Sequence, residues 1–329
     1  EISNCYAHPL VLLFLGGFII ASAMESCGLH KRIAINILSI AGTSPSKIIA
    51  GFMIATASIS MWVSNTASTI MMLPIATSVI AIFAQQTNTK ESDLTVPLLL
   101  AIAYSASIGG IATLIGTPTN VMLASILSDN YNYDISFFDW FKVGFPTTLI
   151  LIPIIWFFLT HIIFKIPNRE SDALRKVLGN LKDEIGKSTH AEKIVTAVFI
   201  ITASLWMFRR LINNSLELNI NDTSIGLFGA LLLFIIPIKK NQRACSWETA
   251  SKIPWGVLLL VGGGIALSKA FNITGLANWI GSFSVFFDGY NIFLLIVIFV
   301  TLIIFLTELN SNTATIATFA PILIAFAIG

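Results

Sequence analysis

Charge is what this sequence has least of. Asp, Glu, Lys and Arg make up 11% of its 329 residues, against roughly 25% in an ordinary soluble domain. Hydrophobic residues make up 55%, and mean hydropathy is +0.84. A soluble core of this size needs a polar exterior that these residues do not supply. Cysteine is scarce as well: Cys5, Cys27 and Cys245 stand at unrelated spacings and point to neither a disulfide framework nor a metal site. The four histidines, His8, His30, His161 and His190, are scattered and form no metal or acid–base cluster. No serine has an evident His and Asp arrangement, which argues against a hydrolase. The net charge of +2 is too small to draw nucleic acid, and nothing implies an organic cofactor.

What is present is long apolar sequence. Runs fit to cross a hydrocarbon core of about 30 Å lie near residues 9–25, 97–114, 142–164, 191–208, 224–238 and 254–270. The chain therefore reads as an all-α polytopic membrane protein, integral to a lipid bilayer. Lys and Arg concentrate in cytoplasmic loops. The stretch 165–193 carries Lys165, Arg169, Arg175, Lys176, Lys182, Lys187 and Lys193, and a second basic loop carries Lys239, Lys240, Arg243 and Lys252. Both are expected to be cytoplasmic, as are His30, Lys31 and Arg32. Arg209 and Arg210 fall on the far side and run against the pattern. Lys269, Glu25 and Asp288 fall at helix ends, where long side chains snorkel.

Inside the apolar stretches one polar triplet occurs twice. Ser64-Asn65-Thr66 returns as Ser311-Asn312-Thr313, Ser60 as Thr307, and Pro74 as Pro321; positions 311 and 64 differ by 247, as do 307 and 60, and 321 and 74. The segment from Leu13 to Ile19, with Gly16-Gly17, reads against that from Leu259 to Ile265, with Gly262-Gly263, and Gly28-Leu29 against Gly275-Leu276. Each copy thus holds a Gly-Gly spanning helix, a Gly-Leu break, a short amphipathic stretch and a polar-tipped hairpin. The Gly-Gly pairs are read as close helix packing.

Counting spans from the basic loops, the first hairpin enters from the cytoplasm and the second from the far side. That is an inverted-topology repeat, an architecture that places transporter sites near the midplane. The repeat divides the chain into a first copy, 1–165, a cytoplasmic loop, 166–190, and a second copy, 191–329. The arms 48–60, 67–84, 291–307 and 314–329 are short for comfortable spanning, so the hairpins are expected to be re-entrant. Irregular backbone at this depth is tolerated only where it lines a cavity. The N–H groups of the helix after each tip favour an anion, and carbonyls ending the arm before it suit a small cation. Alternatively, the triplets cap broken helices or bridge neighbours.

Gly116-Thr117-Pro118-Thr119-Asn120 interrupts the apolar run 97–127 and predicts a broken spanning helix as a third wall. Its counterpart is expected near position 363, so the chain reads as a fragment with the second repeat truncated after its hairpin. Glu308, beside the second tip, is either a functional acid or a carboxylate bonded to the hairpin backbone.

Three segments carry a family resemblance: Met61-Trp62-Val63-Ser64-Asn65-Thr66-Ala67, Leu306 to Thr315 around Ser311-Asn312-Thr313, and Ile115-Gly116-Thr117-Pro118-Thr119-Asn120. They resemble the signatures of the divalent anion/sodium symporter family, the carriers of dicarboxylates, tricarboxylates and sulfate. In that family three spanning helices precede the segment resembling 9–25 and two follow the second hairpin. The resemblance implies an elevator-type transporter fold and a homodimer in a bacterial-type inner membrane. It implies sodium as coupling ion and a succinate- or malate-type dicarboxylate as substrate. By position, Ser64, Asn65, Thr117, Ser311, Asn312 and Thr313 match substrate contacts. Ser60, Asn65 and Gly116 match a first sodium site, and Thr307, Asn310 and Asn312 a second. Asn310 stands where the family has a small residue or Thr. The alternatives are a sodium-independent exchanger, a sulfate or citrate carrier, and, further off, an anion channel.

Overall fold

The computed structural model describes residues 2–87, 94–166, 172–239, 242–287 and 289–328. Arg169, Lys240, Asp288 and Gly329, used in the readings above, lie outside the described residues. In chain order the helices begin with α1 (Ile2–Tyr6), α2 (Pro9–Ser26), α3 (Leu29–Ala41), α4 (Pro45–Ser60), α5 (Asn65–Thr87), α6 (Thr95–Ile111) and α7 (Pro118–Tyr131). There follow α8 (Phe137–Phe157, continued by a π-helical turn Phe158–Ile163), α9 (Asp172–Ile185), α10 (His190–Leu216) and α11 (Asp222–Ile235). A small hairpin of β1 (Pro237–Lys239) and β2 (Gln242–Arg243) precedes α12 (Trp247–Ala250), α13 (Trp255–Ile273), α14 (Leu276–Gly281), α15 (Ile292–Leu309) and α16 (Asn312–Ile328).

Among the described residues six helices are long and apolar enough to cross a membrane, and Thr95–Ile111, Asp222–Ile235 and Asn312–Phe326 are shorter apolar helices. Each apolar run expected from sequence coincides with one of these. Four details differ from expectation. The second arm of the first hairpin is not short: the 23 residues of α5 extend about 35 Å, so arm length does not argue for re-entrance. The interruption after α6 occupies residues 112–117, and Pro118 opens the next helix instead of lying within the break; proline suits a first helical position because its missing N–H is an orphan there. The loop 166–190 contains a helix, α9. The antiparallel β1–β2 pair is a local departure from an all-α chain.

Contacts divide the chain into two compact units, one of Glu1–Leu15, Pro118–Ser136 and Pro254–Gly329, the other of Gly16–Thr117 and Phe137–Ile253. The second, larger unit is organised around α4, whose Ile48, Ile49, Phe52, Met53, Ala55 and Ile59 are buried in one cluster with Leu38 of α3, Met72 of α5 and Leu98 and Ile102 of α6. Small residues bring its backbones close: a side chain at Gly109 would put Cβ 2.5 Å from the Ala57 carbonyl oxygen, and one at Gly16 would lie 2.7 Å from the backbone of Gly226. The packing reading of Gly16 is thereby met.

In the same unit, Arg209 pairs with Asp222 at 3.2 Å and Arg210 with Asp139 at 2.5 Å. Three segments that the charge pattern puts on one side also come together. Arg32 of α3 donates to Glu192 of α10 at 2.9 Å and to the carbonyls of Ile185, which ends α9, and of Gly186 and Lys187 after it.

The smaller unit packs α13 against α1, α7, α14 and α16. Its Gly262 faces Tyr6 and its Gly264 faces Met122. By contrast with α4, no residue of α15 is buried. The backbone repeats where the sequence does: Gly28 has φ 78° and Gly275 φ 76°. Both are in the left-handed region that glycine enters without steric cost.

Candidate functional site

The first tip is made by the end of α4, four irregular residues and the start of α5. Ser60, fully buried, has its Oγ 2.6 Å from the Ala106 carbonyl oxygen and 2.9 Å from Asn65 Oδ1. A hydroxyl carries a single proton, so it can donate to only one of these oxygens at a time. Three oxygens, a hydroxyl, an amide and a backbone carbonyl, thus converge with a shortage of protons between them, the donor set a small hard cation prefers.

The broken helix closes on the same place. Gly110 lies so close to Asn65 that a Cβ there would collide with Oδ1, and a Cβ on Gly116 would lie 2.5 Å from the Gly110 carbonyl oxygen. Ser60 thus meets Asn65 directly, whereas Gly116 packs on Gly110, which in turn packs on Asn65. The gap also has partners for its backbone. Thr113 Oγ1 donates to the Met61 carbonyl at 2.5 Å, tying break to tip. From α8, Trp140 Nε1 donates to the Ile111 carbonyl at 2.9 Å and Thr148 Oγ1 to that of Ile108 at 2.9 Å. Carbonyls freed where a helix breaks are costly unless paired, and α8 pairs them.

After the tip Ser64 Oγ accepts from the Ala67 N–H at 3.3 Å, so Ser64 caps α5. Ser64 and Asn65 are half-buried, and Thr66 is exposed. Thr117 is half-buried at the end of the break. Beside the tip, Thr56 and Ser68 are buried with hydroxyls that have no hydrogen-bond partner among the described residues. Trp62 stacks on Phe137, ring centroids 6.1 Å apart, and meets Phe199 edge-on at 4.7 Å.

The second tip lies in the other unit. Its cap repeats the first, Ser311 Oγ accepting from Ala314 N–H at 3.2 Å. Its hydroxyl geometry does not: the Thr307 hydroxyl donates to the Ile304 carbonyl of its own helix at 2.8 Å, whereas Ser60 reaches across to Asn65. Thr307 and Asn312 line one cavity of about 370 Å³ together with Thr119 of α7 and Thr315, but the rest of its lining, with Leu123, Ile303, Phe319 and Leu323 among it, is apolar. Asn310 does not line it; it is exposed and ends α15 as its C-cap. Ser311 is exposed and Thr313 half-buried. Glu308 is exposed and makes no hydrogen bond among the described residues, which disfavours the backbone-bonded alternative.

Sequence reasoning missed Ala106, Thr113 and Gly110 at the first tip and Thr315 at the second, while Thr119 lies in the motif it read as a third wall. The Ala106 contribution is a backbone oxygen and has no sequence signal. Thr315 had one, since it stands 247 residues after Ser68, positions 315 and 68, and extends the repeat by a further polar pair.

Apolar spanning helices, with polar groups gathered at hairpin tips and at a helix break, define an integral multi-pass membrane protein. The chain belongs to the citrate transporter family, whose profile matches residues 1–329. It is 38% identical over 333 residues to the sodium-dependent dicarboxylate transporter SdcS of Staphylococcus aureus strain USA300, and equally so to that of strain NCTC 8325, covering 98% of this chain. The chain spans 64% of the length of these curated relatives. The family resemblance read from the tip motifs agrees with both findings.

Proposed function

We propose that the protein is a sodium-coupled symporter of dianionic carboxylates of the succinate and malate class, working by alternating access in a bacterial plasma membrane. The observation that carries this reading is the convergence of Ser60 Oγ, Asn65 Oδ1 and the Ala106 carbonyl at the first tip. Sodium held there neutralises the local oxygens and fixes Asn65, so that the Ser64 and Asn65 groups and the N-terminus of α5 meet a carboxylate in a defined geometry. A dianion brought into a low-dielectric site needs such a counter-charge. Likeness to the sodium-dependent dicarboxylate transporter of Staphylococcus aureus supports both ion and substrate class.

In this reading Ser64, Asn65 and Thr117, with Ser311, Asn312 and Thr313, contact substrate. Ser60, Asn65 and Gly116 hold one sodium, and Thr307, Asn310 and Asn312 a second. The matched φ of Gly28 and Gly275 and the matched serine caps support a duplicated architecture, which we read as an inverted repeat of 1–165 and 191–329 joined by the cytoplasmic segment 166–190. Elevator-type movement and a homodimer belong to the same proposal.

The test is radiolabelled succinate uptake into proteoliposomes with a sodium, potassium or choline gradient. Uptake driven by sodium alone is expected; equal uptake in all three would replace symport by exchange. The family description names citrate, so citrate and sulfate belong among the competitors, and stronger inhibition by either than by malate would move the substrate class.

A further inference from the structure

Away from the tips, within the larger unit, three separate segments enclose a cavity of about 300 Å³. Cys27 comes from the end of α2, His190 opens α10, and Ile238, Lys239, Gln242 and Arg243 come from the β1–β2 hairpin. No Asp or Glu is among the described residues that line it. Arg243 is fixed by donating through Nη1 to the Ile235 carbonyl at the end of α11, 2.6 Å away. The side chains of Lys239, Gln242 and His190 have no hydrogen-bond or ion-pair partner among the described residues. A lysine, an arginine, an imidazole and an amide therefore face one space whose described lining holds no carboxylate, on the side where the charge pattern puts the cytoplasm.

The apolar surface beside it narrows the ligand. Phe228, Leu231 and Ile235 follow one another at three- and four-residue steps, so they share one face of α11, and they are 50%, 58% and 63% exposed. That face ends at the carbonyl Arg243 grips. Trp247, just past the hairpin, is 70% exposed, as an indole at a membrane–water interface is. A basic cavity that opens next to an apolar helix face matches an anionic headgroup joined to acyl chains. Basic pockets on the cytoplasmic side of spanning helices take such headgroups through charge-assisted bonds.

We propose that this cavity binds a phosphate group, that of an anionic phospholipid whose acyl chains lie along Phe228, Leu231 and Ile235. Inorganic phosphate shares the chemistry of the headgroup but lacks the chains, and this difference separates the two sources.

Cys27 gives a readout inside the cavity, and the buried Cys245 an internal reference. The purified protein in detergent is treated with a maleimide in the presence of phosphatidylglycerol, phosphatidylcholine or inorganic phosphate, and modification of each cysteine is followed by peptide mass spectrometry. Phosphatidylglycerol is expected to slow Cys27 modification at least five-fold relative to phosphatidylcholine, leaving Cys245 unchanged, with the effect shrinking as salt is raised. Lys239→Glu is expected to abolish that protection. Gln242→Glu, on the exposed hairpin, serves as a second variant should the first not fold. Protection by inorganic phosphate and not by phosphatidylglycerol keeps the phosphate site and overturns the lipid as its source. Equal protection by phosphatidylcholine, protection undiminished in both variants, or none from either phosphate source overturns the proposal.

Discussion

At the scale of residues the proposed chemistry rests on one hydroxyl with two acceptors. Replacing Asn65 with Ala removes Oδ1 from the first tip and is expected to reduce sodium-driven uptake at least 100-fold in proteoliposomes, with the protein still eluting as a folded species; uptake at the wild-type rate would sink the assignment of that tip. A subtler probe lies next door. Gly110→Ala adds a methyl group that collides with Asn65 Oδ1, so it is expected to raise the sodium concentration for half-maximal uptake at least ten-fold. Gly256→Ala is its control, because nothing lies within 4 Å of a Cβ there. The thiols give a pH dependence. Burial pushes the Cys27 and Cys245 thiols up, which lowers the thiolate fraction at any given pH. Maleimide labelling of Cys27 is therefore expected to be slow at neutral pH and to climb as pH rises past the range of a free cysteine; labelling as fast as that of a free thiol at neutral pH would show that the group is not buried.

At the scale of elements, Arg32 joins α3 to the end of α9 and the start of α10. The Arg32–Glu192 side chains are 16% and 5% exposed, whereas those of the neighbouring Lys31–Glu184 pair are 45% and 65% exposed. Removing one partner of a buried pair costs about 3 kcal/mol or more, and of an exposed pair about 0–1 kcal/mol. Arg32→Ala is thus expected to lower the melting temperature in detergent clearly and Lys31→Ala hardly at all; equal shifts would refute the difference. Sequence located the spanning helices, the broken helix and both tips because each has a local signature: an apolar run, a Gly-Thr-Pro, a repeated Ser-Asn-Thr. The helix α9 was hidden in its polarity, since a long basic stretch reads as loop. The beginning of the break at residue 112 was hidden too, because the partners that meet the freed carbonyls of Ile108 and Ile111, Thr148 and Trp140, are brought from α8 by packing. For the same reason the converging oxygens of the first tip were only half legible: Ser60 and Asn65 are side chains, but the Ala106 oxygen is placed by packing.

At the scale of the molecule, two tips with matched caps and differing hydroxyl geometry bear on how ions are counted. The two sodium sites proposed above are expected to make uptake depend on sodium with a Hill coefficient above one. Thr307→Ala is expected to lower that coefficient towards one, while Ser60→Ala abolishes coupled uptake. A coefficient of one in the unaltered protein would leave a single coupling ion.

The aromatic contacts around the first tip also make it visible. Trp62 stands two residues before Ser64 and is held between Phe137 and Phe199, and Phe137 stacks in turn on Trp206 at 4.8 Å. The protein therefore carries an optical reporter at the tip, since indole emission depends on the packing and polarity of its surroundings. Addition of sodium is expected to shift the tryptophan emission of the purified protein, potassium to leave it unchanged, and Trp62→Phe to remove the sodium response. Ion binding would then be followed by light alone, apart from any transport and in the absence of substrate.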